Sequence, residues 1–167
     1  MIRPATSADA AAVARIYNPY IAGTIVTFEE QEVSADDIAA RMRVVEAAGL
    51  PYLVLEDGGR AVGYSYAAKW HQRSAYRYSV ESTIYLEASA RGRGFGRRLY
   101  TALLDELRKR QIHAVLGGIS LPNEASVALH EKLGFKKSAH YPELGWKLGR
   151  WIDVGYWHLS LPLERPA

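Results

Sequence analysis

The sequence predicts a single α/β domain, spanning residues 1–167, in which helices pack on a mixed β-sheet. Segments with helical periodicity alternate with segments of strand periodicity along the chain. The length suits one domain with a sizeable core, since domains of ~100–200 residues are typical. A hydrophobic content of 49% and a charged content of 23% are ordinary for a globular protein.

Two helices are predicted at the start of the chain. Ser7 or Thr6 can cap a first helix from about Ala8 to Tyr17, and the segment YNPYIAGT is expected to end it through its proline and glycine. Ser34 opens the second helix, which carries two aspartates in its first turn. The segment GLP at positions 49–51 closes this helix.

Four further segments have the character of β-structure. The segment YLVLEDGGRAVGYSYAAKW predicts a hairpin of two strands around Asp57-Gly58-Gly59. In YRYSVESTIYLE the even positions are mostly apolar and the odd positions polar, as in a long strand with one buried face. HAVLGGIS predicts a short buried strand, and WIDVGYWHLSLPL predicts a final strand.

Two more helices are predicted between these strands. The first has charged residues on its outer faces and an apolar stripe formed by Leu99, Tyr100, Leu103, Leu104 and Leu107. The second, NEASVALHEKLGF, is capped at its start and ended by Gly134. The predicted order is therefore helix, helix, hairpin, long strand, helix, strand, helix, strand.

The stretch RGRGFGRR, residues 91–98, places three glycines among four arginines directly before a helix. A glycine-rich turn between a strand and a helix is an anion site, because N–H groups of the first helical turn converge there and the helix dipole adds about half a positive charge. A Walker loop is excluded because Gly-Lys-Ser/Thr is missing, and a Rossmann motif because the glycines alternate. A solvated basic turn is the remaining alternative.

Composition and charge exclude several classes of protein. The chain has no cysteine, which excludes disulfides, thiolate nucleophiles and Cys-based zinc sites, and no metal is expected. No apolar signal core or membrane-spanning run occurs, so we expect a cytoplasmic protein without membrane contact. The net charge of +3 is concentrated around residues 91–98 and 108–110. We expect no nucleic-acid partner, because no basic stripe with exposed aromatic residues lies elsewhere.

Several motifs resemble one enzyme family. Arg91-Gly92-Arg93-Gly94-Phe95-Gly96 matches the pattern Arg/Gln-x-x-Gly-x-Gly/Ala and resembles the acyl-CoA pyrophosphate loop of the GNAT superfamily of N-acetyltransferases. The strand before the loop, the helix after it and NEASVALHEKLGF agree with this resemblance. From Ile2 to about Leu163 the chain is similar to the phosphinothricin and methionine sulfoximine N-acetyltransferases, through IYNPYI, TFEE, YRYSVESTIYL, GISLPNEASVALHEKLGF and WIDVGYW.

The resemblance implies the GNAT fold, a single mixed, mostly antiparallel central sheet flanked by about four helices. It also implies acetyl-CoA as co-substrate, a small amino-acid-like amine as acceptor, and a homodimer. Cofactor contacts are expected from the end of the long strand, the glycine loop and the last helix: Ile84, Tyr85, Leu86, Arg91, Gly92, Arg93, Gly94, Phe95, Gly96, Arg97, Asn123 and Ser126.

Acetyl transfer to an amine needs a base, because an α-amine is largely protonated at neutral pH. Glu81 lies within the long strand, where a carboxylate is unfavourable unless it has a partner or a function. From spacing alone, an ion pair with Arg77 or Arg73 is an equally good explanation. Glu81 resembles the glutamate of the family's VES/VED motif, a catalytic base, and is therefore the predicted base here.

Asn123, Ser126 and His130 fall on one face of the last predicted helix. Many superfamily members have a tyrosine where His130 stands, which resembles the acid that protonates the CoA thiolate. We predict that His130 is catalytic and either does this or assists Glu81 as a base; an ordinary surface histidine is the alternative. Asn123 can also serve as the N-cap.

The acceptor's carboxylate calls for cationic partners. Arg73 and Arg77 precede the long strand, and a guanidinium binds a carboxylate or phosphinate with two hydrogen bonds. Arg73 matches the family's arginine before AYR and is preferred, because Arg77 can instead pair with Glu81. The other predicted substrate-binding residues are Phe28, Tyr76, Thr83 and Glu81. Trp151 and Trp157 are predicted to be core or dimer contacts.

Without cysteine an acetyl-cysteine intermediate is impossible, so the amine is predicted to attack acetyl-CoA directly in a ternary complex. The predicted acceptor is the α-amine of phosphinothricin, methionine sulfoximine or methionine sulfone. Two alternatives stay open. One is an acetyltransferase for a polyamine, an aminoglycoside or a protein N-terminus, and the other is a non-catalytic CoA-binding sensor, which needs neither Glu81 nor His130.

Overall fold

The computed structural model describes residues 1–162, whose strands form one seven-stranded sheet in the order β1-β2-β3-β4-β5-β7-β6. The strands are β1 (Ile2–Pro4), β2 (Tyr52–Asp57), β3 (Arg60–Lys69), β4 (Ser79–Leu86), β5 (Ala114–Leu121), β6 (Lys136–Lys147) and β7 (Arg150–Ser160). Within the described residues β4 and β5 are the one parallel pair, and the other neighbours are antiparallel. The mixed, mostly antiparallel sheet is therefore confirmed.

Helices cover both faces of this sheet, because alternate residues of a strand point to opposite sides. The described α-helices are α1 (Ala10–Gly23), α2 (Ala35–Ala47), α3 (Phe95–Lys109) and α4 (Glu124–Lys132). Leu53 and Leu55 of β2 pack with the buried stripe of α3, whereas Val54 packs with α1 and α2. The apolar stripe predicted for α3 is thus confirmed. None of the described helices combines the length and apolar character needed to cross a membrane.

Helix α1 continues past Pro19 to Gly23, so the prediction that this segment ends the helix is wrong. A proline removes one backbone N–H donor and introduces strain, which tertiary contacts can offset. Beyond the proline, Ile21 is buried and the Tyr20 hydroxyl donates a hydrogen bond of 2.5 Å to the carbonyl of Leu86. These contacts hold the last turn of α1 against the sheet.

Two strands, β1 and β6, were not predicted from the sequence. β1 has 3 residues, too few for a periodic pattern. β6 is mostly exposed, and its ladder with β7 is irregular around Pro142, which lacks a backbone donor. The long strand begins at Ser79, later than predicted, because Ser74–Tyr76 form a 3₁₀ turn. Leu163, the last residue of the predicted final strand, lies outside the described residues.

The parallel strands β4 and β5 are paired only where they begin. Their ladder joins Ser79–Glu81 to Ala114–Leu116, whereas β4 runs on to Leu86 and β5 to Leu121. Beyond the ladder the two strands separate, and their facing backbone groups make no ladder bonds to each other. This opening, which we call the β4–β5 cleft, interrupts the sheet and positions the candidate site.

Candidate active site

Two adjacent cavities occupy the β4–β5 cleft. The larger, which we call the long groove, has a volume of about 340 Å³. The smaller, which we call the inner cavity, has a volume of about 90 Å³ and contains Glu81. Both are lined by Val26, Ile84, Tyr85, Asn123 and Ser126. A ligand that lies in the long groove can therefore extend into the inner cavity. A separate open cavity of about 520 Å³ contains none of the predicted site residues.

Most of the predicted cofactor-contacting residues meet in the long groove. Those that line it are Ile84, Tyr85, Leu86, Arg91, Gly92, Gly96, Asn123 and Ser126. Arg93 instead forms an ion pair of 2.7 Å with Asp57, and the side chain of Phe95 is buried in the core. Arg97 is exposed. The arginine side chains of the loop therefore differ in their availability to a ligand, because Arg91 lines the groove and Arg93 is already paired with Asp57.

The glycines of the loop are favoured for two structural reasons. Gly92 and Gly94 adopt φ values of 73° and 76°, in the left-handed region that favours glycine. Gly96 forms part of the groove wall, where a Cβ would lie 3.4 Å from Leu86 and 3.5 Å from Leu129. Gly94 is the N-cap of α3, so the N–H groups of the next three residues have no partner inside the helix. The bare turn thus presents backbone donors beside an open groove.

Tyr20 of α1 also lines the long groove and was not predicted to do so. Its ring lies 5.0 Å from the Arg91 guanidinium, in a cation–π contact. Its hydroxyl donates to the Leu86 carbonyl, which is therefore already occupied. Of the three residues at the end of β4, Tyr85 is paired with Tyr64 of β3. The backbone groups of Ile84 and the N–H of Leu86 are left to face a ligand in the groove.

Glu81 projects into the inner cavity beside Gly118. A Cβ at Gly118 would lie 3.0 Å from the Glu81 carboxylate and 3.2 Å from the ring of Tyr156, so the glycine gives both side chains room. Burial raises the pKa of Glu81 above its ordinary value. Within residues 1–162 no cationic side chain forms a salt bridge with Glu81, and Arg77 instead bonds the Ser74 carbonyl. The ion-pair explanation of Glu81 is therefore wrong.

His130 lies beneath the same cavity, with 4% of its surface exposed. The expectation of an ordinary surface histidine is therefore wrong. Its Nδ1–H donates to the Ser126 carbonyl at 2.8 Å, and its Nε2 lies 3.0 Å from the Tyr100 hydroxyl. That hydroxyl lies 2.6 Å from Oγ of Ser82, a residue that also lines the inner cavity. Burial lowers the pKa of His130, which favours the neutral imidazole.

Asn123 is the N-cap that the sequence predicted, and it lies at the groove where a cofactor contact was predicted. Its side-chain oxygen accepts a hydrogen bond of 3.2 Å from the Ser126 N–H and caps α4. It also lines both cavities. The cap fixes the first turn of α4, the helix that carries His130. Asn123 therefore bounds the groove and also orients this helix.

The predicted acceptor-binding residues are only partly brought together. Thr83 lines the inner cavity with Glu81. Arg73, Tyr76 and Arg77 are exposed in the segment before β4 and line neither cavity. The Phe28 ring packs closely against Gly145 of β6, where a Cβ would collide with it.

An aromatic row connects the inner cavity to this exposed segment. The Tyr156 ring at Gly118 lies 5.5 Å from Trp70, which lies 5.0 Å from His71, which lies 4.9 Å from Tyr76. The four rings form a continuous wall that begins beside Glu81. Trp70 and Tyr156 were not predicted to lie at the site. Tyr156 is placed there by its pairing with Gly118 across β5 and β7, which local sequence patterns do not contain.

Comparison with known proteins agrees with the geometry. The family model described as an acetyltransferase (GNAT) domain matches residues 2–155. The L-amino acid N-acyltransferase MnaT of Escherichia coli is 38% identical over 160 residues, covering 96% of this chain and 93% of that protein. The phosphinothricin N-acetyltransferase of Streptomyces viridochromogenes is 38% identical over 165 residues, covering 99% and 90%.

Solved structures give the same result. An acetyltransferase from Salmonella typhimurium, yncA, solved with acetyl-CoA, superimposes with a TM-score of 0.95 at 35% identity, covering 99% of this chain and 96% of that one. A phosphinothricin acetyltransferase from Sinorhizobium meliloti, in complex with AcCoA, gives 0.93 at 33% identity, covering 96% and 88%. The resemblance found in the sequence is thereby confirmed, and the chain belongs to the GNAT acetyltransferase family.

Proposed function

We propose that this chain transfers the acetyl group of acetyl-CoA to the α-amine of a small amino acid analogue, by direct attack of the amine in a ternary complex. One observation carries the proposal. The long groove, which begins at the glycine loop, adjoins the inner cavity that contains Glu81, a carboxylate without a cationic partner among the described residues. The names of the relatives, which include L-methionine sulfoximine/L-methionine sulfone acetyltransferase, support this acceptor class.

The residues of the groove fit the chemistry of acetyl-CoA. The first-turn N–H groups of α3 and the Arg91 side chain suit a diphosphate. The free edge of β4, formed by the backbone groups of Ile84 and the N–H of Leu86, can pair with an amide-containing pantetheine arm as with an added strand. A backbone N–H on this edge can polarise the thioester carbonyl as charge develops on its oxygen.

Glu81 accepts a proton from the acceptor amine in this proposal. A raised pKa makes its carboxylate a stronger base and brings it closer to the working pH, which favours general-base catalysis. The carboxylate must be ionised to act, so kcat/KM is expected to fall as the pH is lowered through that raised pKa. The acid limb of the pH profile should therefore lie above 4.5, the ordinary value for glutamate.

The acceptor is expected to lie along the aromatic row, with its amine at Glu81. Arg73, on the exposed segment at the end of the row, remains the predicted partner of the acceptor carboxylate, with Arg77 as the second choice. Phe28, Tyr76 and Thr83 remain the predicted walls of this pocket. The cationic candidates favour an acidic acceptor over a polyamine, because like charges repel.

Thiol release tests the proposal. The purified chain, with acetyl-CoA, is assayed with phosphinothricin, methionine sulfoximine and methionine sulfone, and with spermidine as a comparison. We expect release with at least one amino acid analogue and a much lower rate with spermidine. A faster reaction with spermidine would support the other-amine alternative. No release with any amine, together with retained acetyl-CoA binding, would support the sensor alternative.

Glu81→Gln distinguishes an enzyme from a sensor more directly. The amide keeps the shape of the carboxylate but cannot accept the proton. We expect kcat to fall by about 10²-fold or more while the Kd for acetyl-CoA, measured by calorimetry, changes little. An unchanged kcat would remove Glu81 from the proposal.

We also propose that two copies of the chain form a homodimer and that the protein is cytoplasmic, as the family resemblance and the sequence imply. The hairpin of β6 and β7 supports the dimer, because it carries a set of exposed apolar side chains at one edge of the sheet: Tyr141, Leu144, Trp146, Leu148 and Trp151. Trp157 of the same hairpin is buried and belongs to the core. Sedimentation of the wild type and of Trp151→Ala is expected to give a dimer that the substitution weakens.

A further inference from the structure

Two buried side chains, Tyr100 and Ser82, link His130 to the inner cavity by hydrogen bonds. Tyr100 Oη lies 3.0 Å from His130 Nε2 and 2.6 Å from Ser82 Oγ, and Ser82 Oγ also lies 3.0 Å from the Leu116 carbonyl. Tyr100 is fully buried, and Ser82 lines the inner cavity that contains Glu81. Tyr100 was predicted only as part of an apolar stripe, which does not explain why its hydroxyl joins two polar groups.

Ser82, Tyr100 and His130 can form their hydrogen bonds in two arrangements that differ by one proton. With neutral His130, Ser82 donates to Tyr100 and Tyr100 donates to Nε2. With protonated His130, Nε2–H donates to Tyr100, Tyr100 donates to Ser82, and Ser82 donates to the Leu116 carbonyl. In both, Nδ1–H donates to the Ser126 carbonyl. A proton that arrives at Ser82 reverses each bond in turn and ends on His130.

His130 itself is poorly placed to contact a substrate directly. Its Nδ1 is engaged by the Ser126 carbonyl and its Nε2 by Tyr100, so both nitrogens are occupied. Its ring also packs against the backbone of Gly117, where an added Cβ would collide with Nε2. Ser82 is the member of the chain that can exchange a proton with the cavity without breaking the imidazole contacts.

The proposed reaction moves more protons than Glu81 can hold at once. An α-ammonium group loses two protons on becoming an amide, while the departing thiolate takes up one, so one proton is released in total. Glu81 can hold only one proton at a time. A second group near the cavity can hold the proton that passes from nitrogen to sulfur while Glu81 holds the other.

We propose, on the basis of the proposed function, that Ser82, Tyr100 and His130 form this relay, and that Tyr100 is its positioning residue. As the bond between nitrogen and the acetyl carbon forms, one nitrogen proton passes to Ser82, one from Ser82 to Tyr100, and one from Tyr100 to His130 Nε2. As the bond between carbon and sulfur breaks, the same transfers run backwards and sulfur receives a proton. The relay begins and ends neutral, while Glu81 takes the other nitrogen proton, which then leaves to solvent.

Tyr100→Phe tests the relay, because phenylalanine keeps the ring that packs edge-on against His130 at 5.1 Å and loses only the hydroxyl. We expect kcat to fall about 10²-fold with an unchanged KM for acetyl-CoA. We also expect the dependence of kcat on the deuterium fraction of the solvent to be curved in the wild type and linear in the variant. A kcat within threefold of the wild type, or a loss of rate with an unchanged deuterium dependence, would overturn the relay.

Ser82→Ala and the double variant separate a relay from a purely structural role. A relay broken at one link gains no further defect from a second break, so the double variant should be as slow as either single variant. Additive losses would indicate two independent structural effects and contradict the relay. Tyr64→Phe, at a buried tyrosine of the other core cluster, is the matched control and should keep kcat.

Nitrogen NMR of the free protein tests the same hydrogen bonds without any turnover. We expect neutral His130 to carry its proton on Nδ1. We also expect Tyr100→Phe to shift the Nε2 resonance, which is assigned by its disappearance in His130→Asn. A proton on Nε2 in the neutral wild type would overturn the relay. If the NMR result holds but no amine releases CoA, the proposed acetyl transfer fails and the hydrogen-bond arrangement stands.

Discussion

Gly117 lies directly against the imidazole of His130: a Cβ added to this glycine would collide with Nε2 and lie 2.7 Å from Cδ2. The backbone of β5 therefore fixes the position of the ring from below, while the Ser126 carbonyl fixes its tautomer. A glycine inside a strand usually weakens the strand, and it commonly marks a close approach of another group. Here the approaching group is a candidate catalytic side chain.

Gly117→Ala is expected to displace the imidazole and lengthen its contact with Tyr100. Overpacking of this kind costs ~1–3 kcal/mol of unfolding free energy, and kcat should fall at least ~10-fold. Urea unfolding and steady-state kinetics measure the two effects. Gly23→Ala is the control, because a Cβ there meets nothing within 4 Å. Equal effects at the two glycines would contradict the packing argument.

Glu81→Gln is expected to stabilise the fold at neutral pH although it should slow turnover. The folded-state pKa of Glu81 is raised, so its ionised form destabilises the folded chain, and stability is lost as the pH rises through that pKa. Thermal unfolding at pH 7 should show a Tm ~1–3 °C higher for the variant. The difference should disappear below pH 4.5, the ordinary value of the group. A lower Tm for Glu81→Gln at pH 7 would mean that the carboxylate has a stabilising partner.

Arg91 and Arg93 are expected to differ in their effect on cofactor binding, although two positions separate them. Arg91 lines the long groove, whereas Arg93 is paired with Asp57. Arg91→Ala should therefore raise the Kd for acetyl-CoA about tenfold, through the loss of a charge-assisted contact of ~1–2 kcal/mol. Arg93→Ala should change the Kd much less. Calorimetry gives both values, and a larger effect at Arg93 would contradict the described loop.

Asp9 is expected to stabilise the fold at neutral pH through Arg3. The Arg3 guanidinium donates hydrogen bonds of 2.8 Å and 2.7 Å to the nearly buried carboxylate, and these hold the pKa of Asp9 below its ordinary value. This stability is present above the unfolded pKa and is lost as the pH falls through the folded one. Asp9→Asn should cost about 2 kcal/mol of unfolding free energy at pH 7 and much less at low pH.

An exposed aspartate provides the control for this prediction. Asp153 bonds the Glu143 N–H and His140 at the surface, where solvent screens its charge. Asp153→Asn should lose clearly less stability at pH 7 than Asp9→Asn. Similar losses in urea unfolding would show that burial of the Arg3 pair adds nothing.

The elements that could be predicted from the sequence are those whose local pattern continues over the whole element. The stripe of α3 and the capped start of α2 at Ser34 follow from local rules, and so do the hairpin and the glycine loop. The sequence did not predict β6, because that strand is exposed and interrupted by Pro142, nor the last turn of α1, which depends on distant contacts such as Tyr20 to Leu86. Local patterns do not contain those contacts.

The residues of the candidate site fall into the same two groups: those that local patterns predict and those that depend on distant contacts. Glu81 and the groove-lining glycines lie on one strand and one turn, so spacing and resemblance were enough to identify them. Tyr100 and Ser82 come from different elements and meet only because α3 packs over β4. The one signal in the sequence was a tyrosine within a leucine-rich stripe, because a buried hydroxyl needs a hydrogen-bond partner.

A crystal structure with acetyl-CoA tests most directly whether the β4–β5 cleft is the catalytic site. We expect the diphosphate to bind the backbone N–H groups between Gly92 and Arg97, and the sulfur to lie in the inner cavity beside Glu81. A turn without bound diphosphate, or a sulfur atom directed away from that carboxylate, would contradict this expectation.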